Sequence, residues 1–182
     1  MKALSLAQPH AIIMVGIPGS GKTDFANKFS ATFNAPFINL DTLIPLARNI
    51  EAAAQIAKSQ LDELLKTKHS VLIEVNTATR QNRTELCKIV RDAGYVPLLV
   101  WVQTDNTTAK RRAMKKDVDF DEVTKKFSAP HEKEQPTVIS GKHTYASQAK
   151  TVLQKLSAPR ATHSEPSVLN QRTKRAGSIT IQ

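Results

Sequence analysis

The sequence predicts an α/β fold, a five-stranded parallel sheet with helices on both faces. Three observations carry this. Five short runs rich in aliphatic residues alternate with five stretches of helical pattern, the order that right-handed βαβ crossovers require. The first run, Ala11-Ile12-Ile13-Met14-Val15, is apolar without alternation, as a strand buried on both faces must be. The chain of 182 residues, 40% apolar and 5% aromatic, is long enough to bury one full core.

The elements follow in order. Strand one is Ala11 to Val15, and a helix runs from Gly21 to about Phe33. Pro36-Phe37-Ile38-Asn39-Leu40 reads as strand two. Pro45 suits the first turn of a long helix reaching about Lys66, with Leu61, Leu64 and Leu65 on its apolar face. Val71-Leu72-Ile73-Glu74-Val75 is strand three. A helix over residues 80–93 places Leu86, Ile89, Val90 and Ala93 on one side, and Gly94 follows it as a helix-stop residue. Strand four spans Val96 to Val102, with Pro97 near its start, where a missing donor is tolerated. Asp105 or Asn106 can cap a basic helix to about Lys116. Residues 117–135 are dense in both charges and broken by Pro130. Pro136-Thr137-Val138-Ile139 is a weak fifth strand, and a last helix runs from about Thr144 to Leu156. Residues 1–156 therefore read as one domain with a basic lid at about 105–135. Residues 157–182, rich in Pro, Ser, Thr and Arg, read as a basic, mostly disordered tail.

One motif carries the chemistry. Gly16-Ile17-Pro18-Gly19-Ser20-Gly21-Lys22-Thr23 fits G-x-x-x-x-G-K-[ST], the phosphate-binding P-loop, between an apolar strand and a helix. Glycines let the chain wrap an anion, the loop amides point inward, and the following helix adds its positive end. Lys22 is expected to reach the β- and γ-phosphates and Thr23 to coordinate Mg²⁺, with Asp24 just beyond. Ligands in such sheets sit at the carboxyl ends of the strands, and three further candidates lie there. Glu74 closes strand three and can serve the metal or orient the attacking group. Asn76, two residues on, is placed on the same side of an extended chain and can bind substrate or water. Asp41 follows strand two and can act as a general base toward an acceptor hydroxyl, as a helix cap, or as both. In the basic stretch Lys110–Lys116, Arg112 and Lys116 lie one turn apart and can bring positive charge to the γ-phosphate. The competing reading is a solvated charged face. Arg80 and Arg83 are weaker anion-binding candidates.

Composition narrows the class. Lysine and arginine total 26 against 16 acids, a net charge of +10, which calls for an anionic partner without naming it. Residues 1–135 carry 19 basic and 15 acidic side chains, and residues 136–182 carry seven and one, so most of the excess lies in the last helix and tail. The tail is thus the candidate contact for nucleic acid. The single cysteine, Cys87, excludes a disulfide framework within the chain and reads as a buried thiol. The five histidines are scattered, without metal-ligand spacing. No apolar run approaches the ~18 residues of a membrane span, so a cytoplasmic protein is expected.

These motifs together resemble the P-loop small kinases of the polynucleotide kinase-like, AAA-type ATP-binding group. The resemblance covers roughly residues 10–156. It rests on Gly16–Thr23, on Asn39-Leu40-Asp41, on Glu74-Val75-Asn76 with Arg83 downstream, and on Thr104-Asp105 through Arg112 and Lys116. It implies strand order 2-3-1-4-5 and Mg²⁺-ATP-dependent phosphorylation of a hydroxyl. In it Asp41 would be the base, Glu74 the acidic strand end, Asn76, Arg83 and Lys116 substrate contacts, and Arg112 the lid charge. Ile44 stands three residues after Asp41, where polynucleotide kinases usually carry an Arg. The alternative is an ATP-binding, nucleic-acid-associated or regulatory ATPase without kinase activity.

Overall fold

The computed structural model describes residues 6–115 and 119–158. The tail from Pro159 onward, and Lys116 with its expected lid role, lie outside the described residues.

Five strands form one parallel sheet: β1 (His10–Val15), β2 (Phe37–Asn39), β3 (Val71–Glu74), β4 (Val96–Gln103) and β5 (Thr137–Ser140). Their order is β2-β3-β1-β4-β5, as expected. β1 is central, and the register Ala11↔Val71 on one side and Ala11↔Pro97 on the other leaves it no free edge.

Both faces of β1 are therefore buried, and that is why the sequence offers it no polar residue from Ala11 to Val15. Ala11, Ile13 and Val15 join a core under α3 (Ile50–Lys66) and α4 (Arg80–Asp92), with Ala57, Leu61 and Val90. Ile12 and Met14 point the other way, into a core with Phe25 and Phe29 of α1 (Lys22–Phe33) and Val152 of α7 (Tyr145–Leu156). Side chains alternate faces along a strand, so one apolar run serves two helical layers.

Helix ends follow local capping chemistry. Thr79, Asp105 and Thr144 each accept from a backbone N–H three residues on, opening α4, α5 (Asn106–Met114) and α7. The structure departs from the expected long helix beginning at Pro45. One helical turn, α2 (Leu40–Leu43), is capped by Asn39, and a 3-10 turn holds Ile44–Leu46. The chain then re-extends at Ala47 (φ −114°, ψ 161°), and Asn49 caps α3 by accepting from the Ala52 N–H at 2.8 Å. Asn49 supplies a side-chain acceptor that Pro45 lacks, so the helix starts five residues after the proline.

A second departure lies in the charged segment after the lid helix. Asp119 caps a short helix, α6 (Phe120–Lys125), that the charge density masked. Its Phe120 packs against Ala109 and Ala113 of α5, with Ile17 of the glycine loop alongside. Among the described residues no helix is long and apolar enough to cross a membrane.

Candidate active site

The loop Gly16–Thr23 joins β1 to α1 at the carboxyl end of the sheet, and helix α5 lies directly on it. Gly19 has φ +73°, and a Cβ there would run into the Ala109 carbonyl of α5. Only glycine accepts both that backbone and that closeness. Gly141, just after β5, holds the other wall: its amide donates to the Gln103 carbonyl at 2.7 Å, and a Cβ would strike the Ser20 carbonyl. Thr104 Oγ1 donates to that same Ser20 oxygen at 3.0 Å. Gly141→Ala is expected to destabilise the chain by ~1–3 kcal/mol through overpacking, read as a lower denaturation midpoint at unchanged slope.

Within this frame the loop side chains converge. Gly19, Gly21, Lys22, Thr23 and Asp24 line a cavity of about 500 Å³ with Arg112. Arg112 Nη1 donates to the Gly141 carbonyl at 3.2 Å, which anchors its guanidinium at the cavity wall. Lys22 Nζ donates to the Ile17 carbonyl at 3.1 Å and stands 3.8 Å from Glu74 Oε1. Thr23 Oγ1 donates to Glu74 Oε1 at 3.0 Å. Pro18 lies within the turn from Ile17 to Ser20, and Gly16 directly precedes it. Ser20 is buried, its amide closing onto the Ile17 carbonyl at 3.2 Å. Thus residues 51 positions apart in sequence meet, because β3 lies beside β1 in the sheet.

Asp41 sits two residues past Asn39, which pairs with Glu74 across β2–β3. Its amide donates to Asn39 Oδ1 at 2.9 Å, and its carboxylate is on an exposed turn at the carboxyl end of the sheet. The cap of this turn is therefore Asn39 and not Asp41, which lies in the first turn of α2 and is not among the described residues lining the cavity with Lys22.

Two expectations meet a different geometry. β3 ends at Glu74, and Asn76 has left-handed backbone (φ 52°), so the extended-chain spacing that paired it with Glu74 does not hold. Its Oδ1 instead accepts from Asn82 Nδ2 at 2.7 Å. Arg83, expected to contact substrate, is fully buried. Its guanidinium makes a bidentate pair with Glu134, Nε to Oε1 at 2.8 Å and Nη2 to Oε2 at 3.0 Å. Nη1 reaches the carbonyls of Thr77, Ala78 and Ser128. With those donors engaged inside the protein, Arg83 ties the chain after β3 to the segment before β5.

The loop after β5 was missed from sequence. Gly141, His143, Tyr145 and Gln148 line the same cavity as Lys22, as do Lys28 of α1 and Lys115 after α5. Gln148 Nε2 donates to the Ser140 carbonyl at 2.7 Å and fixes the turn. A glycine directly after the fifth strand was the available signal. At the lid's start, Asp105 pairs with Lys142 at 2.5 Å. The Lys142 ammonium and the Thr108 amide hold the Asp105 carboxyl well below the usual range.

The donor set suits a hard divalent cation. A hydroxyl and a carboxylate, Thr23 and Glu74, meet beside a lysine and a glycine cradle that a Cβ would fill.

A family model described as an AAA domain matches residues 12–129. The structure is similar to an APS kinase from Mycobacterium tuberculosis, solved in complex with AMPPNP and APS. The TM-score is 0.66 at 18% identity, covering 83% of this chain and 99% of that one. It is also similar to a gluconokinase from Sinorhizobium meliloti (TM-score 0.59, 17% identity, 81% and 91% covered). A third similar structure is a sugar kinase from a Janibacter species (TM-score 0.58, 16% identity, 81% and 93% covered). Comparison with curated proteins finds no match.

Proposed function

Since the chain belongs to the AAA domain family, we propose that it is an ATP-dependent phosphotransferase that acts, with Mg²⁺, on a hydroxyl acceptor. The observation that supports this best is the convergence of Lys22, Thr23 and Glu74 under a lid carrying Arg112. The loop amides and Lys22 would hold the triphosphate, and Thr23 and Glu74 would hold the metal. Bound there, Mg²⁺ would neutralise phosphate charge and polarise the γ-phosphoryl oxygens. Arg112, anchored on Gly141, would add a fixed positive charge where negative charge develops. Asp41, at the open carboxyl end of β2, would take the acceptor's proton. The fold shared with kinases for APS and gluconate is consistent with a small alcohol as acceptor.

The test is transfer of the labelled γ-phosphate of ATP to a panel of alcohols that includes 5′-hydroxyl oligonucleotides. Asp41→Asn is expected to lower the transfer rate by about 10²–10⁴-fold, the usual range for a lost general base, while nucleotide affinity stays unchanged. A chain that binds ATP and labels no acceptor would instead be a binding or regulatory protein.

A further inference from the structure

A second cavity of about 750 Å³ shares no lining residue with the one over the glycine loop. It runs along α4 and under the starts of β4 and β5. Arg80, Thr84, Cys87 and Arg91 line it at helical spacing, so one stripe of α4 forms the whole wall. Eleven residues at the helical rise make that wall about 16 Å long.

Its charge is one-sided. Arg80, Arg91, Lys133 and Lys155 all line it. Among the described residues none of the four has an acidic partner within salt-bridge distance. The one carboxylate among the described lining residues, Glu134, is committed to buried Arg83, with Arg80 adding to its stabilisation at longer range. The Thr137 hydroxyl, buried at the groove's base, has no hydrogen-bond partner among the described residues.

The chain's own tail is an unsuitable occupant. Residues 157–182 carry Arg160, Arg172, Lys174 and Arg175 against the single acid Glu165. Like charge keeps such a segment out of a cationic groove.

We infer that this groove binds the phosphate backbone of a nucleic-acid strand. Two arginines ending a helix wall of about 16 Å, with Lys133 and Lys155 also lining the groove, suit a linear polyanion that offers several successive phosphates along that length. A compact phosphate compound does not span the distance of about 16 Å between Arg80 and Arg91 on the helix. Among the described residues no aromatic side chain lines the groove, so bases are not stacked there and binding is independent of sequence. The role is separate from phosphate transfer. It would tether the chain to nucleic acid while leaving the glycine loop open.

The test is fluorescence anisotropy of a labelled single-stranded RNA of about twelve nucleotides with the full chain, from about 50 to 200 mM salt. Arg91→Glu/Lys155→Glu is expected to weaken binding by about tenfold or more and to flatten the log–log salt slope by about 1.4, two cations' worth. Arg91→Ala/Lys155→Ala, gentler on the ends of α4 and α7, should shift both readouts the same way by less. ATP binding should be unchanged in both, which certifies the fold. Arg172→Glu/Lys174→Glu/Arg175→Glu should cost less than the groove reversal. The inference is overturned if groove variants bind like wild type, if the tail variant alone abolishes binding, or if the full chain does not bind. It is equally overturned if tripolyphosphate competes at the oligonucleotide's own concentration, since the groove would then be a compact phosphate site.

Discussion

Lys22→Ala is expected to cut phosphate transfer from ATP by about a thousandfold, the scale of removing one preorganised charge from a developing anion. The side chain stands between two anchors, the Ile17 carbonyl at 3.1 Å and Glu74 Oε1 at 3.8 Å. Its ammonium is therefore held at the mouth of the loop before any phosphate arrives. Lys22→Arg is expected to fall short of wild type as well, because a planar guanidinium does not reproduce the compact ammonium held between the Ile17 carbonyl and Glu74. Single-turnover transfer separates loss of chemistry from loss of binding. Transfer at the wild-type rate in the alanine variant would remove Lys22 from the proposed mechanism.

The second large effect concerns stability. Glu134→Ala is expected to destabilise the fold by ~3–5 kcal/mol, the cost of leaving a buried charge without its partner. Arg83 has no exposed surface, and its partner's carboxylate is largely covered. Against a typical total of about 5–15 kcal/mol, that loss is a large share of the whole. Urea denaturation measures it directly, and a shift under about 1 kcal/mol would mean water relieves the guanidinium.

The pair also sets an acid limit. Burial raises the Glu134 pKa, but the Arg83 fork and the His131 amide outweigh it, and the net shift is downward from 4.5. A carboxyl lowered in the folded state contributes stability that is fully present above its unfolded pKa. That contribution is lost as pH falls through the folded value. Wild type should therefore lose stability below about pH 4.5 more steeply than Glu134→Gln, which has no carboxyl there to protonate.

Much of the site was legible because its signals are local. Gly16–Thr23 is contiguous, and its glycines, lysine and threonine have fixed offsets set by the turn they build. Glu74 was legible from its place at a strand end, since parallel strands present their carboxyl ends on one side. Arg83 and Asn76 misled for the same reason in reverse. A charged residue in sequence looks alike whether it faces ligand or a buried glutamate 51 residues away. Asn76 was placed by a two-residue periodicity that holds only while the strand continues, and β3 stops at Glu74.

The residues around the loop were legible least. Thr104 and Gly141 act through the Ser20 carbonyl of a distant segment and Gln148 through the Ser140 carbonyl, and no side-chain pattern announces such contacts.

The sequence by itself determined the alternation of strands and helices, the central buried strand and the glycine loop. Each follows from short-range periodicity or turn chemistry. Tertiary structure alone decided which charges meet: Lys22 and Thr23 with Glu74, Arg112 with the Gly141 carbonyl, Arg83 with Glu134. It also decided that Arg80, Arg91, Lys133 and Lys155 share one groove. The reason is physical. Periodicity is set by each residue's own backbone geometry. Electrostatic pairing depends on distance in space and on the water excluded, and both exist only once β1, β3, β4 and β5 lie side by side.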